Sequence, residues 1–209
     1  MIRNPDETRR NILRKSGVLF NRRGYKATSI SDITKATGYT KGAIYRHFDS
    51  KAKLEKATIN HLSAIVFSSL RERIRSVDTA IQKLTAVLDF FESYVTDPVV
   101  PGGCPLMNAA IEADDANPTL RREARKVLDV IQQSVIAILA NGIRHKQLRR
   151  DIDKDFYATI IIASMEGAIM MSKLRGNNDD IRKVVRHLRE QIQNLATRTK
   201  LSRRYQMVS

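Results

Sequence analysis

The stretch ATSISDITKATGYTKGAIYRHFDSKAKL, residues 27 to 54, decides how this chain folds. Apolar residues recur in it at helical spacing, first Ile30, Ile33 and Ala36, then Ile44 and Phe48, and Gly38 stands between the two groups. Glycine suits a tight turn between two helices because it takes positive φ without steric cost. Thr28 or Ser29 is placed to cap the first of these helices and Thr40 the second. If Ile30, Ile33, Ile44 and Phe48 bury against a preceding helix, the opposite face of the second short helix stays free. That face carries Thr40, Lys41, Gly42, Ala43, Tyr45 and Arg46, short or basic groups of a size to enter the major groove of duplex DNA. Base edges set sequence preference and phosphates set register. Thr40, Lys41 and Ala43 are therefore assigned to base edges, and Gly42 to close approach of the backbone. Thr28, Tyr45, Arg46, His47 and Lys51 are assigned to phosphates.

The run Gly38, Thr40, Lys41, Gly42, Ala43, Ile44, Tyr45, Arg46, His47, Phe48 resembles the signature of the tetracycline-repressor (TetR) family of bacterial regulators, and the likeness extends over residues 8 to 56. The resemblance implies phosphate contacts at Tyr45, His47 and Lys51, with Lys41 to Ala43 at the tip of the recognition helix. Thr37, Tyr39 and Lys53 depart from the family's usual Ala, Val and acidic residue.

Charge supports the same assignment. The chain carries 37 Lys and Arg against 22 Asp and Glu, a formal +15 that favours a polyanionic partner. Residues 1 to 56 hold 14 basic and 5 acidic side chains, so most of the excess lies at the N-terminus. A solvated basic face is the competing reading, and Arg3, Arg9 and Arg10 suit either it or a basic arm. Lone Cys104 cannot form an intramolecular disulfide, which fits a reducing cytoplasm. Residues 1 to 10 have no apolar stretch to act as a signal peptide, and the longest apolar run, residues 160 to 171, is too short to span a bilayer and reads as a buried helix.

Helical periodicity recurs along the rest, with no alternating run that reads as a strand, so the chain is read as all-α with about nine helices. Asn4-Pro5-Asp6-Glu7 starts the first helix, which Gly24 ends. A three-helix helix-turn-helix domain is assigned to residues 4–56, the motif itself to 29–48, and a helical ligand-binding and dimerisation bundle to 57–199. Within the bundle, TDPVVPGGCP at 96–105 is a loop, and Leu120, Ala124, Val127, Ile131, Val135 and Ile138 form one stripe of a long helix. The tail from Lys200, with Arg203 and Arg204, lacks periodicity.

In the last two helices, apolar and small residues alternate at spacings of four and three, the period of a helix-packing seam. Ile160, Ser164, Gly167, Met171, Leu174, Val185, Leu188, Ile192 and Leu195 are read as a homodimer interface, which the resemblance also implies; a seam internal to one subunit is the alternative. Two heads so joined would face major grooves roughly 34–36 Å apart, or a multiple of that, on a palindromic operator. Phe90, Tyr94, Cys104, Met107, Phe156, Met165, Glu166 and Met170 are candidates for lining an effector pocket, with ordinary core as the alternative.

No catalytic set, metal site, cofactor motif or membrane partner is read from the sequence. Glu112, Asp114, Asp115 and His145 do not fall at ligand spacing, so the chain is not expected to be an enzyme. A ligand-released repressor is the leading expectation. The rival is a helical protein-interaction module or nonspecific nucleoid binder.

Overall fold

The computed structural model describes residues 4–113 and 117–197; Arg3, Asp114, Asp115 and the tail from Lys200 lie outside them. The described residues form nine α-helices, with one isolated antiparallel bridge, Leu148 to Ala196, in place of any sheet.

The chain divides into two compact units, one of residues 1–69 and 94–130 and the other of 70–93 and 131–209. This cut differs from the expected boundary after residue 56. The long helices α4 (Lys51–Arg75) and α7 (Pro118–Arg144) each contribute to both units, and the 94–130 segment returns to the N-terminal one.

The first unit is built on α1 (Pro5–Arg23), α2 (Ile30–Thr37), α3 (Lys41–His47), the N-terminal part of α4, α6 (Pro105–Glu112) and the start of α7. The Asn4 side chain accepts the Asp6 N–H, Pro5 occupies the first turn, and Gly24 closes α1 at φ +94°. Ile12, Phe20, Ile33, Ile44, Leu54 and Ile59 are fully buried. Each such side chain contributes about 1.5–3 kcal/mol of transfer free energy, which holds the two short helices α2 and α3 that could not stand alone. Tyr25 stacks on Phe20 with ring centroids 4.8 Å apart.

α4 and α7 are joined by buried charge. Glu123 is 2% exposed and accepts from Asn60 at 3.3 Å, from Lys126 at 3.1 Å and from Lys56 at 3.3 Å. Burial pushes the Glu123 carboxyl up, but the hydrogen bonds from Lys126, Asn60 and Lys56 together outweigh it and hold the group below the usual carboxylate range.

The second unit packs α5 (Ala80–Glu92), the end of α7, α8 (Lys154–Arg175) and α9 (Asp179–Gln193). A Thr79–Gln82 capping box starts α5, and Gly142 lets α7 cross near Ala80 and Leu148, where a Cβ would come within 2.6 Å of both. Arg189 of α9 binds the carboxylates of Asp89 and Glu92 on α5.

Two expectations change here. Val185, Leu188, Ile192 and Leu195, read as dimer residues, are 0–2% exposed and form the core of their own subunit, because α9 lays its apolar stripe against α5 and α8. Conversely, α8 is not a wholly buried helix. Ala158, Ile161, Met165, Ala168 and Ile169 point inward, whereas Phe156, Ile160, Met170, Met171 and Leu174 are 39–82% exposed. Spacings of three and four place these exposed residues on one outer face.

Candidate nucleic-acid interface

α2 begins with a reciprocal capping box: Ser29 Oγ accepts the Asp32 N–H, and the Asp32 carboxylate accepts from the Ser29 N–H and hydroxyl. The Ser29 hydroxyl and then its amide hold Asp32 below the ordinary carboxylate range. Gly38 ends α2 in the left-handed region at φ +73°, and Thr40 caps α3 by accepting the Ala43 N–H at 3.2 Å. Ile33, Ile44 and Phe48 are buried, so their side chains fix the angle between the two helices.

What remains outside is the expected reading face. Thr40, Lys41, Gly42 and Arg46 are exposed; Ala43, Tyr45 and His47 are half-buried. The Lys41 ammonium lies 5.9 Å from the centre of the Tyr45 ring, and the space beside Gly42 is open. Tyr39 is anchored to α1, where Asn11 Nδ2 donates to its hydroxyl at 3.3 Å.

Two expected phosphate contacts are placed differently. Thr28 is fully buried and its hydroxyl donates to the Gly24 carbonyl at 2.7 Å, so its side chain does not reach solvent. Lys51 Nζ donates to the Tyr25 carbonyl at 2.7 Å and pairs with Glu55 at 3.3 Å, which ties the start of α4 to the α1–α2 turn.

The head is further fastened to α6 by residues the sequence reading did not single out for this task. Glu112 accepts the N–H groups of Tyr25 and Lys26, each at 2.9 Å, and crowds Gly24, where a Cβ would meet its Oε1 at 2.5 Å. Asn21, 4% exposed, donates to the carbonyls of Pro101 and Gly103, while Asn108 donates to the Asn21 side-chain oxygen and to the carbonyls of Asn21 and Gly102. An asparagine within the buried face of α1 was the available signal.

The chain's relatives match this geometry. A family profile described as "Bacterial regulatory proteins, tetR family" matches residues 12–58, and one described as "Tetracyclin repressor-like, C-terminal domain" matches residues 80–188. The chain belongs to the TetR family. It is a helix-turn-helix, DNA-binding transcriptional regulator. A solved TetR regulator from Chloroflexus aurantiacus is 37% identical, with a TM-score of 0.85 over 92% of this chain and 97% of that one. A TetR-family regulator from Cytophaga hutchinsonii is 30% identical, with a TM-score of 0.87 over 95% and 100%. Among named relatives, the transcriptional repressor DhaR of Mycobacterium sp. is 26% identical over 87% of this chain and 89% of its own. The regulator TtgR of Pseudomonas putida is 27% identical over 78% and 79%.

The residues expected to line an effector pocket in this TetR regulator are dispersed. Met165 and Glu166 line a cavity of about 20 Å³ in the second unit with Val87, Phe91, Ile131, Val135, Ile161 and Ile162. Phe90 is buried under the Arg73 guanidinium, 5.1 Å from its ring centre. Tyr94, Cys104 and Met107 fall in the first unit, Tyr94 and Cys104 buried and Met107 half-buried. Phe156 and Met170 lie on the exposed face of α8, 54% and 43% accessible. Of the residues weighed for acid–base service, Glu112 is held by two backbone amides in the first unit, whereas His145 is exposed in the second.

Proposed function

We propose that this regulator is a homodimeric repressor, active in the bacterial cytoplasm, that sits on a palindromic operator and is released by a small-molecule effector. In functional terms the chain divides into a reading head, residues 4–56, and an effector and dimerisation region, 57–199. The observation that carries the reading is the outward face of α3, with Lys41, Arg46 and an unobstructed Gly42 exposed above a head fixed by Ile33, Ile44 and Phe48. Lys41 and Ala43 read base edges in this proposal, with the exposed cap residue Thr40 beside them, and Tyr45, Arg46 and His47 bind phosphates. Repression is supported by the relative DhaR, which carries that description.

Dimerisation uses the outer face of α8. Ile160, Met171 and Leu174 are exposed apolar groups, and among the described residues nothing beyond the local helix backbone lies within 4 Å of the position a Cβ would take at Gly167. Such a stripe buries itself against a second copy about a twofold axis. The effector enters the second-unit cavity beside Met165 and Glu166. At about 20 Å³ this cavity holds no more than a water, so an effector must part α5, α7 and α8. That displacement is how binding biases the pair of heads.

Selection of bound sequences from a random duplex pool tests the reading. A palindrome with half-sites one or more helical turns apart is expected; recovery of no sequence preference would instead support a nonspecific nucleoid binder.

A further inference from the structure

A cleft in the first unit lies beside the head, walled by α1, the end of α3 and α4. It measures about 580 Å³, and its lining includes Arg9, His47, Phe48, Lys53, Lys56 and His61 together with one carboxylate, Asp49. Its basic groups are unevenly committed. Lys56 is neutralised by the buried carboxylate of Glu123, to which Asn60 also donates. The side chains of Arg9, His47, Lys53 and His61, by contrast, make no hydrogen bond or ion pair within the described residues. The Arg9 guanidinium is held in place by the Phe48 ring, 4.9 Å from its centre, and keeps its N–H donors unspent. Asp49, in the bend before α4, does not pair with Lys53. Burial, and then the charge of Arg9, hold the His61 imidazole below its usual range, as expected of a group set in a positive cleft.

The geometry points to an anion site for a phosphate group, in which Arg9 and Lys53 supply charge and His47 and His61 supply ring N–H donors. A phosphate offers several acceptor oxygens and at least one full negative charge, which suits a cleft lined by uncommitted donors from three helices. A volume of about 580 Å³ is in the range of small-ligand sites. The phosphate comes either from the backbone of a duplex lying past the end of α3 or from a free phosphorylated small molecule. The first source rests on the DNA binding proposed above; the second does not.

Two readouts on the full-length protein separate these sources. Wild type, Lys53→Ser, Arg9→Gln and a second-unit control, Lys83→Ser, are compared by melting temperature in inorganic tripolyphosphate and by the salt dependence of binding to a mixed-sequence duplex. A free-phosphate site predicts a tripolyphosphate-induced rise in melting temperature for wild type and Lys83→Ser that is largely lost in the other two. A DNA-phosphate site predicts that the slope of log K against log salt falls by about one per head in Lys53→Ser and Arg9→Gln, and not in the control. Lys53 is exposed, so its variant is expected to fold even if Arg9→Gln loosens Phe48. If Lys53→Ser matches wild type in both readouts, the site is overturned while DNA binding stands. Failure of wild type to bind this duplex overturns the DNA source and leaves the cleft to be judged by tripolyphosphate alone, while the proposed function stands or falls on the selected operator.

Discussion

Glu112, at the end of α6, caps the backbone of Tyr25 with its carboxylate at 2.9 Å, and the same carboxylate takes the Lys26 N–H. The α1–α2 turn therefore owes two of its amide partners to a residue 86 or 87 positions away. Asn108, one turn earlier on α6, holds Asn21 from the donor side, giving its side-chain N–H to the Asn21 side-chain and backbone oxygens. Glu112→Ala leaves both amides without their charged acceptor and is expected to cost about 1–3 kcal/mol in chemical denaturation. Gly24→Ala should be at least as damaging, since φ is +94° there and the added Cβ would strike the Glu112 carboxylate.

Tyr25 offers a contrast. Its ring is buried on Phe20, its hydroxyl has no hydrogen-bond partner among the described residues, and burial, then Glu55 and Glu112, push its ionisation well above the usual phenol range. Tyr25→Phe removes an unsatisfied polar atom and should leave stability within about 0.5 kcal/mol or raise it. Tyr25→Ala should cost about 3–5 kcal/mol by the cavity it opens. A marked loss in Tyr25→Phe would show that the hydroxyl has a partner after all.

On α3, Lys41→Ala is expected to lower affinity for the selected operator by about 1–3 kcal/mol and to relax preference at one base position. Tyr45→Ala should weaken binding across sequences alike, as loss of a backbone contact does. Fluorescence anisotropy on operator and scrambled duplexes distinguishes the two patterns.

Ile160→Arg and Leu174→Glu place charge on the exposed face of α8 without entering the subunit core. Both are expected to shift sedimentation toward monomer while leaving helicity intact. Val185→Arg, in contrast, should unfold the second unit, because Val185 is fully buried within one chain.

Acid sensitivity follows from Glu123. Its folded-state carboxyl is held below the ordinary value, so its stabilisation is complete above the unfolded value of about 4.3 and is lost as pH falls below it. Glu123→Gln should be less stable at neutral pH yet lose less on acidification. Equal pH profiles for the two proteins would remove Glu123 from the acid response.

The sequence by itself determined the local order. Asn4-Pro5, the turn at Gly38, the Thr40 cap and the apolar spacing of Ile33, Ile44 and Phe48 act within a few residues of one another, and the structure keeps each where that spacing puts it. Periodicity also showed that α8 and α9 have apolar stripes, but it cannot say what covers a stripe. Tertiary packing decided that the α9 stripe is internal, the outer α8 stripe free, and Thr28 sealed under its own turn. It also decided that Lys51 serves Tyr25 and Glu55, and that Glu112, which the sequence offers only as an acid on a helix end, is a backbone acceptor. Capping and turns depend on neighbours in the chain, whereas burial and long-range hydrogen bonds depend on which surfaces meet, and only the folded chain brings residues 21 and 108 together.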